Sequence, residues 1–239
     1  MFVRATLLAA LAFSSLSALA QTTDNGTTTG PVKTAVVSKP SRDFVMLQFT
    51  HDRWRGADDS ITINGIGRGF GGYLCYDFPI KKAPLSFAAG IGIGTSNIYF
   101  TDNQQLVLTD SGQTQAIFTG EREAYKRFKL ATAYLEAPFE LRYFGNRENR
   151  NKGFKAAIGF RVGTLLKATT KGVRDFQGSK VIDKESTKRY FEQYRFSATT
   201  RIGWGNVTLL GTYNLNSLFK EGEGPQVTPY AVGICITGL

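Results

Sequence analysis

The sequence predicts an all-β protein: an eight-stranded antiparallel up-and-down transmembrane β-barrel. Three observations predict it. First, the stretch from Tyr134 to Lys167 reads as two strands joined by a polar turn, with a period of two. Leu135, Ala137, Phe139, Leu141 and Tyr143 alternate with a face holding Glu136, Glu140 and Arg142; Phe154, Ala156, Ile158, Phe160 and Val162 alternate with one holding Lys155 and Arg161. One face carries no charge and the other carries them all, as expected with lipid outside and a polar lumen inside. Second, eight such strands are joined by connections that alternate between polar loops and tight turns, the pattern of a barrel with short turns on one side. Third, outward positions near strand ends are aromatic, and inward positions are rich in glycine.

Taken in order, residues 1–20 read as a secretory signal. Arg4 supplies the positive start, Leu7 to Leu16 the apolar run, and Ala18-Leu19-Ala20 the small-residue cleavage site. Residues 21–43 are Thr-rich, with Gly26, Gly30, Pro31 and Pro40, and read as a flexible periplasmic leader. The barrel is expected over residues 44–239. Its first strand is placed at Phe44–Arg53, its second at Gly65–Phe78 and its third at Leu85–Phe100. The fourth is placed at Phe128–Phe144, and the fifth at Gly153–Lys167. The last three are placed at Tyr194–Trp204, Val207–Ser217 and Val227–Thr237. The polar stretches Thr101–Arg127 and Ala168–Gln193 are expected to be the two longest loops. An even strand number puts both termini on one side, the periplasm for an outer-membrane barrel.

Phe78, Phe87, Tyr143, Phe154 and Trp204 would form the aromatic belt nearest the short turns. Phe49, Tyr99, Tyr194 and Tyr213 would form the other. No stretch of 18 or more apolar residues follows the signal, so a transmembrane helix is not expected. The formal charge of +10 could suggest nucleic acid, but a secreted chain makes that partner improbable. Outer-membrane lipid and lipopolysaccharide are the partners expected for the surplus, with envelope proteins contacted through the outer loops. Cys75 and Cys235 both point inward, with the first strand between them, so two buried thiols are favoured over a disulfide. No Cys/His cluster indicates a metal site, and no cofactor is expected.

The inward charges are Asp52, Asp77, Glu136, Glu140, Arg142, Lys155, Arg161, Arg195 and Arg201, five basic against four acidic. Isolated buried charge is costly and paired charge tolerable, so Glu136, Glu140, Arg142, Lys155, Arg161, Arg195 and Arg201 are expected to form a lumen network. A hairpin symmetric about its turn places Glu136 opposite Arg161 and Arg142 opposite Lys155. A one-residue slip would put Glu136 or Arg161 into lipid, at roughly 2–4 kcal/mol for an arginine at the midplane. An eight-stranded interior is only wide enough for side chains to fill it, so a charge plug is favoured over a conducting pore. His51, the only histidine, lies near Asp52 and Ser60. A serine hydrolase needs a histidine oriented by an acid, and here parity turns His51 away from Asp52. The glycine clusters at 65–69 and 90–94 precede no helix start, so they read as lumen glycines rather than phosphate loops.

The strand Tyr134-Leu-Glu-Ala-Pro-Phe-Glu140 resembles a Tyr-Leu-Glu-Ile-Pro-Leu signature of PorT-like outer-membrane β-barrel proteins of Bacteroidota. Leu218-Phe219, Gly224-Pro225, Pro229 and Val232-Gly-Ile234 are similar to that family's ending, and the likeness covers residues 42–239. It implies an outer-membrane barrel, with a role associated with type IX-like secretion or surface interaction. The expected function is therefore non-enzymatic. The alternatives are a small lipid A-modifying barrel enzyme, a narrow solute channel, and a soluble ligand-binding barrel with the opposite face polarity.

Overall fold

The computed structural model describes residues 44–57, 61, 63, 65–80, 83–100, 104–107, 116–120, 125–146 and 152–238. The signal segment and the leader expected from sequence lie outside the described residues. Among the described residues there are eleven strands: β1 (Val45–Arg55), β2 (Gly67–Pro79), β3 (Leu85–Phe100), β4 (Gln104–Val107), β5 (Ile117–Gly120), β6 (Arg127–Phe144), β7 (Phe154–Phe176), β8 (Ser179–Ser186), β9 (Tyr194–Trp204), β10 (Val207–Asn214) and β11 (Thr228–Thr237). Eight close a ring in the order β6-β3-β2-β1-β11-β10-β9-β7, and β7 pairs back to β6. Every ladder in the ring is antiparallel. Closure removes the open edges of the ring, which no sheet can leave unpaired in lipid.

The alternation sets the faces as the sequence implies. On β6, residues 128 to 144 of even number are buried, while Leu135, Phe139, Leu141 and Tyr143 are exposed. Trp204 is 70% exposed on the outer face, close to the two-residue turn Gly205-Asn206. The exterior belt continues through Phe78, Phe87, Phe154 and Ile158, all exposed. A wall that presents such side chains outward fits an apolar solvent. Pro138 interrupts the β3–β6 ladder, whose pairing stops at Ala89↔Phe139 and resumes at Gly92↔Glu136, because proline has no N–H to donate.

Three expectations need correction. The hairpin register is two residues from the symmetric guess: Glu136 faces Gly163, Arg142 faces Ala157, and Lys155 faces Phe144. The turn sets this, since Gly145 N–H donates to the Phe154 carbonyl at 2.8 Å and Gly153 takes φ 106°. A two-residue shift leaves every side chain on its face, so alternation cannot detect it. The second correction concerns 168–193. β7 runs to Phe176 and pairs with β8 as a projecting hairpin rather than a loop. Gln177 and Gly178 both have positive φ, 49° and 77°, the twist that a two-residue hairpin turn requires. Third, the stretch 101–127 contains a small separate sheet, β4 with β5.

A bulge lies between Ala133/Tyr134 and Leu165/Lys167. The extra residue, Leu166, reverses the parity of β7 beyond it. Leu165 is thereby buried while Lys167 is exposed.

Candidate functional site in the barrel lumen

The lumen charges gather into two groups at different heights. The group nearer the short turns centres on Glu140. Arg142 Nε donates to Glu140 Oε2 at 2.8 Å, and Arg142 Nη1 donates to Asp77 Oδ1 at 2.8 Å. Arg201 Nε donates to Glu140 Oε1 at 3.2 Å, its Nη2 reaches Oε2, and its Nη1 approaches Cys235 Sγ at 3.5 Å. Asp77 and Glu140 balance Arg142 and Arg201. Lys155 Nζ contacts Thr237 Oγ1 at 3.4 Å and lies 5.6 Å from the centre of the Phe144 ring.

The second group centres on Glu136, which is 1% exposed. Arg161 Nη1 donates to Glu136 Oε2 at 3.2 Å and Nη2 to Gln48 Oε1 at 3.0 Å. Arg195 pairs with Glu136 Oε1, and the Tyr73 hydroxyl donates to Oε2. Both guanidinium groups also lie over aromatic rings, Arg161 at 4.8 Å from Tyr73 and Arg195 at 3.9 Å from Tyr134. The Glu136–Arg161 pair is thus present, reached diagonally rather than directly across the ladder. Asp52 lines a cavity of about 60 Å³ together with Arg161 and Arg195, and with Glu136 it brings this group to neutrality.

Glycines make these contacts fit. A Cβ on Gly71 would lie 2.7 Å from the Tyr73 ring, and one on Gly92 2.5 Å from it. A Cβ on Gly94 would lie 2.5 Å from Glu136 Oε2. Tyr73 and Glu136 therefore occupy the space that these three residues leave empty. Gln48 and the ring contact of Tyr134 were not expected from sequence. Parity places both residues inward, but parity cannot tell which inward groups meet.

Beyond the charges, at the end carrying the long connections, the interior becomes apolar. Trp54 lies 5.5 Å from Phe100 and 6.4 Å from Phe219, ring centre to ring centre, and Phe191 lies 4.9 Å from Phe219. Leu106, Ala116, Phe128, Leu130, Leu165 and Tyr190 belong to the same buried cluster. Its loops are tied together: Lys220 N–H donates to the Tyr190 carbonyl at 3.0 Å, and Leu218 N–H to the Val227 carbonyl at 2.9 Å. This cap was not expected from sequence.

The candidate catalytic histidine is elsewhere. His51 is on the outer side of β1, with Nδ1 3.0 Å from the Gly67 carbonyl. Arg53 Nε donates to Nε2 at 3.2 Å. Asp52 instead faces inward and accepts from Thr50. Ser60 lies outside the described residues. Cys75 and Cys235 are buried free thiols. Among the described residues no group of three His, Cys, Asp or Glu side chains could hold a metal, and no helix is long and apolar enough to cross a membrane.

A family model described as "Outer membrane protein beta-barrel domain" matches residues 41–220. No curated protein and no solved structure matches the chain.

Proposed function

Since the chain belongs to the outer membrane protein beta-barrel domain family, we propose that this integral outer-membrane barrel is a sealed, non-enzymatic protein acting through its long-loop end. The closed lumen carries this reading. Two groups of paired acids and arginines, with Lys155 beside the first, fill the ring, and an aromatic cap stands above them. A solute would have to break buried ion pairs, and a broken buried pair costs about 3–5 kcal/mol. The surroundings of His51 support the absence of catalysis, since both ring nitrogens are engaged on the side away from Asp52. The long-loop end, with its projecting β7–β8 hairpin, would face outside the cell and the termini the periplasm. The resemblance at Tyr134–Glu140 supports a secretion-associated or surface-interaction role, of the kind linked to type IX-like secretion.

Two measurements on protein from washed outer membranes test this. A mobility shift on boiling is expected on a denaturing gel, as a folded barrel resists the detergent. Reconstitution in planar bilayers is expected to give no steady conductance. Steady ion-selective openings would replace the sealed barrel with a narrow channel. Recovery in the soluble periplasmic fraction without a shift would overturn the membrane placement as well.

A further inference from the structure

The outer wall changes character along single strands. On β6 the outward residues Tyr143, Leu141, Phe139, Ala137 and Leu135 are apolar, and the inward ones include Arg142, Glu140 and Glu136. Beyond Ala131 the order inverts. Lys129 and Arg127 point outward, while Leu130 and Phe128 are buried. Residues 133–143 span roughly 25 Å along the barrel axis at about 3.4 Å per residue and a tilt of about 40°. That matches the apolar band of an outer-membrane barrel. Lys129 then lies on the order of 10 Å beyond the band, at the depth of lipid headgroups.

At that height an open cavity of about 510 Å³ lies between Tyr99 of β3, the start of β6 and the β7–β8 hairpin. Five cations line it: Lys126, Arg127, Lys129, Lys171 and Lys180. The one carboxylate in the lining, Asp175, is paired with Lys126. Among the described residues no carboxylate pairs with Arg127, Lys129, Lys171 or Lys180. Lys129 and Lys171 stand directly opposite each other across the β6–β7 ladder, where like charges destabilise a sheet. The bulge at Leu166 creates this pairing, because without the extra residue Lys171 would face inward. Lys129 is further held by Asn97 Oδ1 at 2.8 Å and by the Tyr99 ring, 5.7 Å from its centre. A second open cavity shares Tyr99, Lys126 and Arg127 and adds Arg68.

We infer that this cavity binds the phosphorylated headgroup of a membrane lipid, of the lipid A kind, whose acyl chains lie along the apolar wall below. Charge complementarity selects an anion. Continuity with the lipid-facing band selects a lipid over a free anion, since Ile91, Ile93 and Leu135 lie below the cavity on the same strands. The unpaired lysines supply multiple N–H donors, and phosphate oxygens accept them strongly. This inference rests on the long-loop end facing outward.

The test uses the full chain in neutral detergent, followed by native mass spectrometry. It is titrated with bis-phosphorylated lipid A, dephosphorylated lipid A, and inorganic phosphate. Binding of the bis-phosphorylated lipid is expected, weakening as salt rises. Each lysine near a charged membrane surface is worth roughly five-fold in binding, so the double variant K129Q/K171Q is expected to bind about 30-fold less tightly. K152Q, in the short turn before β7 at the other end of the barrel, is expected to bind as the wild type does. The double variant should keep its gel shift on boiling, since it removes a repulsion. A folded double variant that binds unchanged overturns the site, as does equal binding of the dephosphorylated lipid. Inorganic phosphate binding as tightly overturns the lipid assignment. A wild-type protein without a gel shift overturns the membrane reading itself.

Discussion

Glu140→Gln is the sharpest test of the lumen network. Glu140 accepts from Arg142 Nε, Arg201 Nε and Arg201 Nη2. Losing the charge leaves Arg142 with Asp77, but leaves Arg201 with no carboxylate partner among the described residues, only one carboxamide oxygen and the Cys235 sulfur at 3.5 Å. An uncompensated buried guanidinium costs about 3–5 kcal/mol, and the carboxamide also turns donors toward donors. Arg201→Gln should cost less, because Glu140 keeps Arg142. The double variant should recover about 0.5–3 kcal/mol relative to the sum of the single changes, as contacting residues couple. The assay is reversible urea unfolding of the barrel in lipid vesicles, with the fraction folded read from the gel shift. Trp204, 70% exposed on the outer wall, gives an independent fluorescence signal as it leaves lipid. A Glu140→Gln cost below about 1 kcal/mol at an unchanged urea slope would refute the claim that Arg201 depends on this carboxylate. Strict additivity in the double variant would refute it equally.

Other outcomes follow from the wall and the surface. A Cβ on Gly233 would lie 2.1 Å from the Phe49 carbonyl oxygen and 2.7 Å from Thr50 Cα. Gly233→Ala should therefore lose most of the heat-modifiable form on a gel, whereas Gly72→Ala, with nothing nearer than 3.8 Å, should assemble normally with a stability change of about 0.5 kcal/mol or less. Both native thiols are buried, so Lys184→Cys offers one exposed target. A membrane-impermeant maleimide should label it on intact cells, and labelling only after permeabilisation would reverse the proposed orientation. A His51→Gln/Ser60→Ala double variant should leave the lipid A profile unchanged by mass spectrometry, and a changed profile would restore the enzyme reading.

The ring itself was legible because lipid and lumen impose opposite demands on alternate residues. Leu135 and Glu136 already carry that information. Register was less legible: a shift of two residues moves Glu136 from Arg161 to Gly163 while preserving every face. Long side chains made the shift harmless to the ion pair, since Arg161 still reaches Glu136 at 3.2 Å. The β7–β8 hairpin was hidden by its Lys, Asp and Ser content. Its turn, Gln177-Gly178, lacks the usual Asn-Gly signal and adopts the required positive φ values nonetheless. The cap was hidden because its members arrive from separated segments, with Trp54 on β1, Phe100 on β3, and Phe191 and Phe219 in two loops. One local signal was available. In Arg127-Phe-Lys-Leu130 the alternation has the opposite polarity to Leu135–Tyr143, which marks wall that has left the lipid.

That inversion explains why the interior of one barrel is packed with two chemistries. Within the lipid-facing band the outer face takes the apolar residues, so the inner face must absorb the strand's polar ones. Charges brought inside this way are stabilised by opposite partners, which is how Glu136 and Glu140 organise their arginines. Beyond the band the outer face meets water and headgroups. Lys129 and Lys171 can then stand outside, and the interior is free to pack as a soluble protein's core does, around Trp54, Phe191 and Phe219. The extra residue at Leu166 sits at this changeover and resets β7 so that its lysines leave the lumen as the cap begins. The bulge therefore separates the charge-filled part of the barrel from the apolar part. Its removal would drive Lys171 into the cap, so both the apolar cap and the cationic outer surface depend on a single inserted residue.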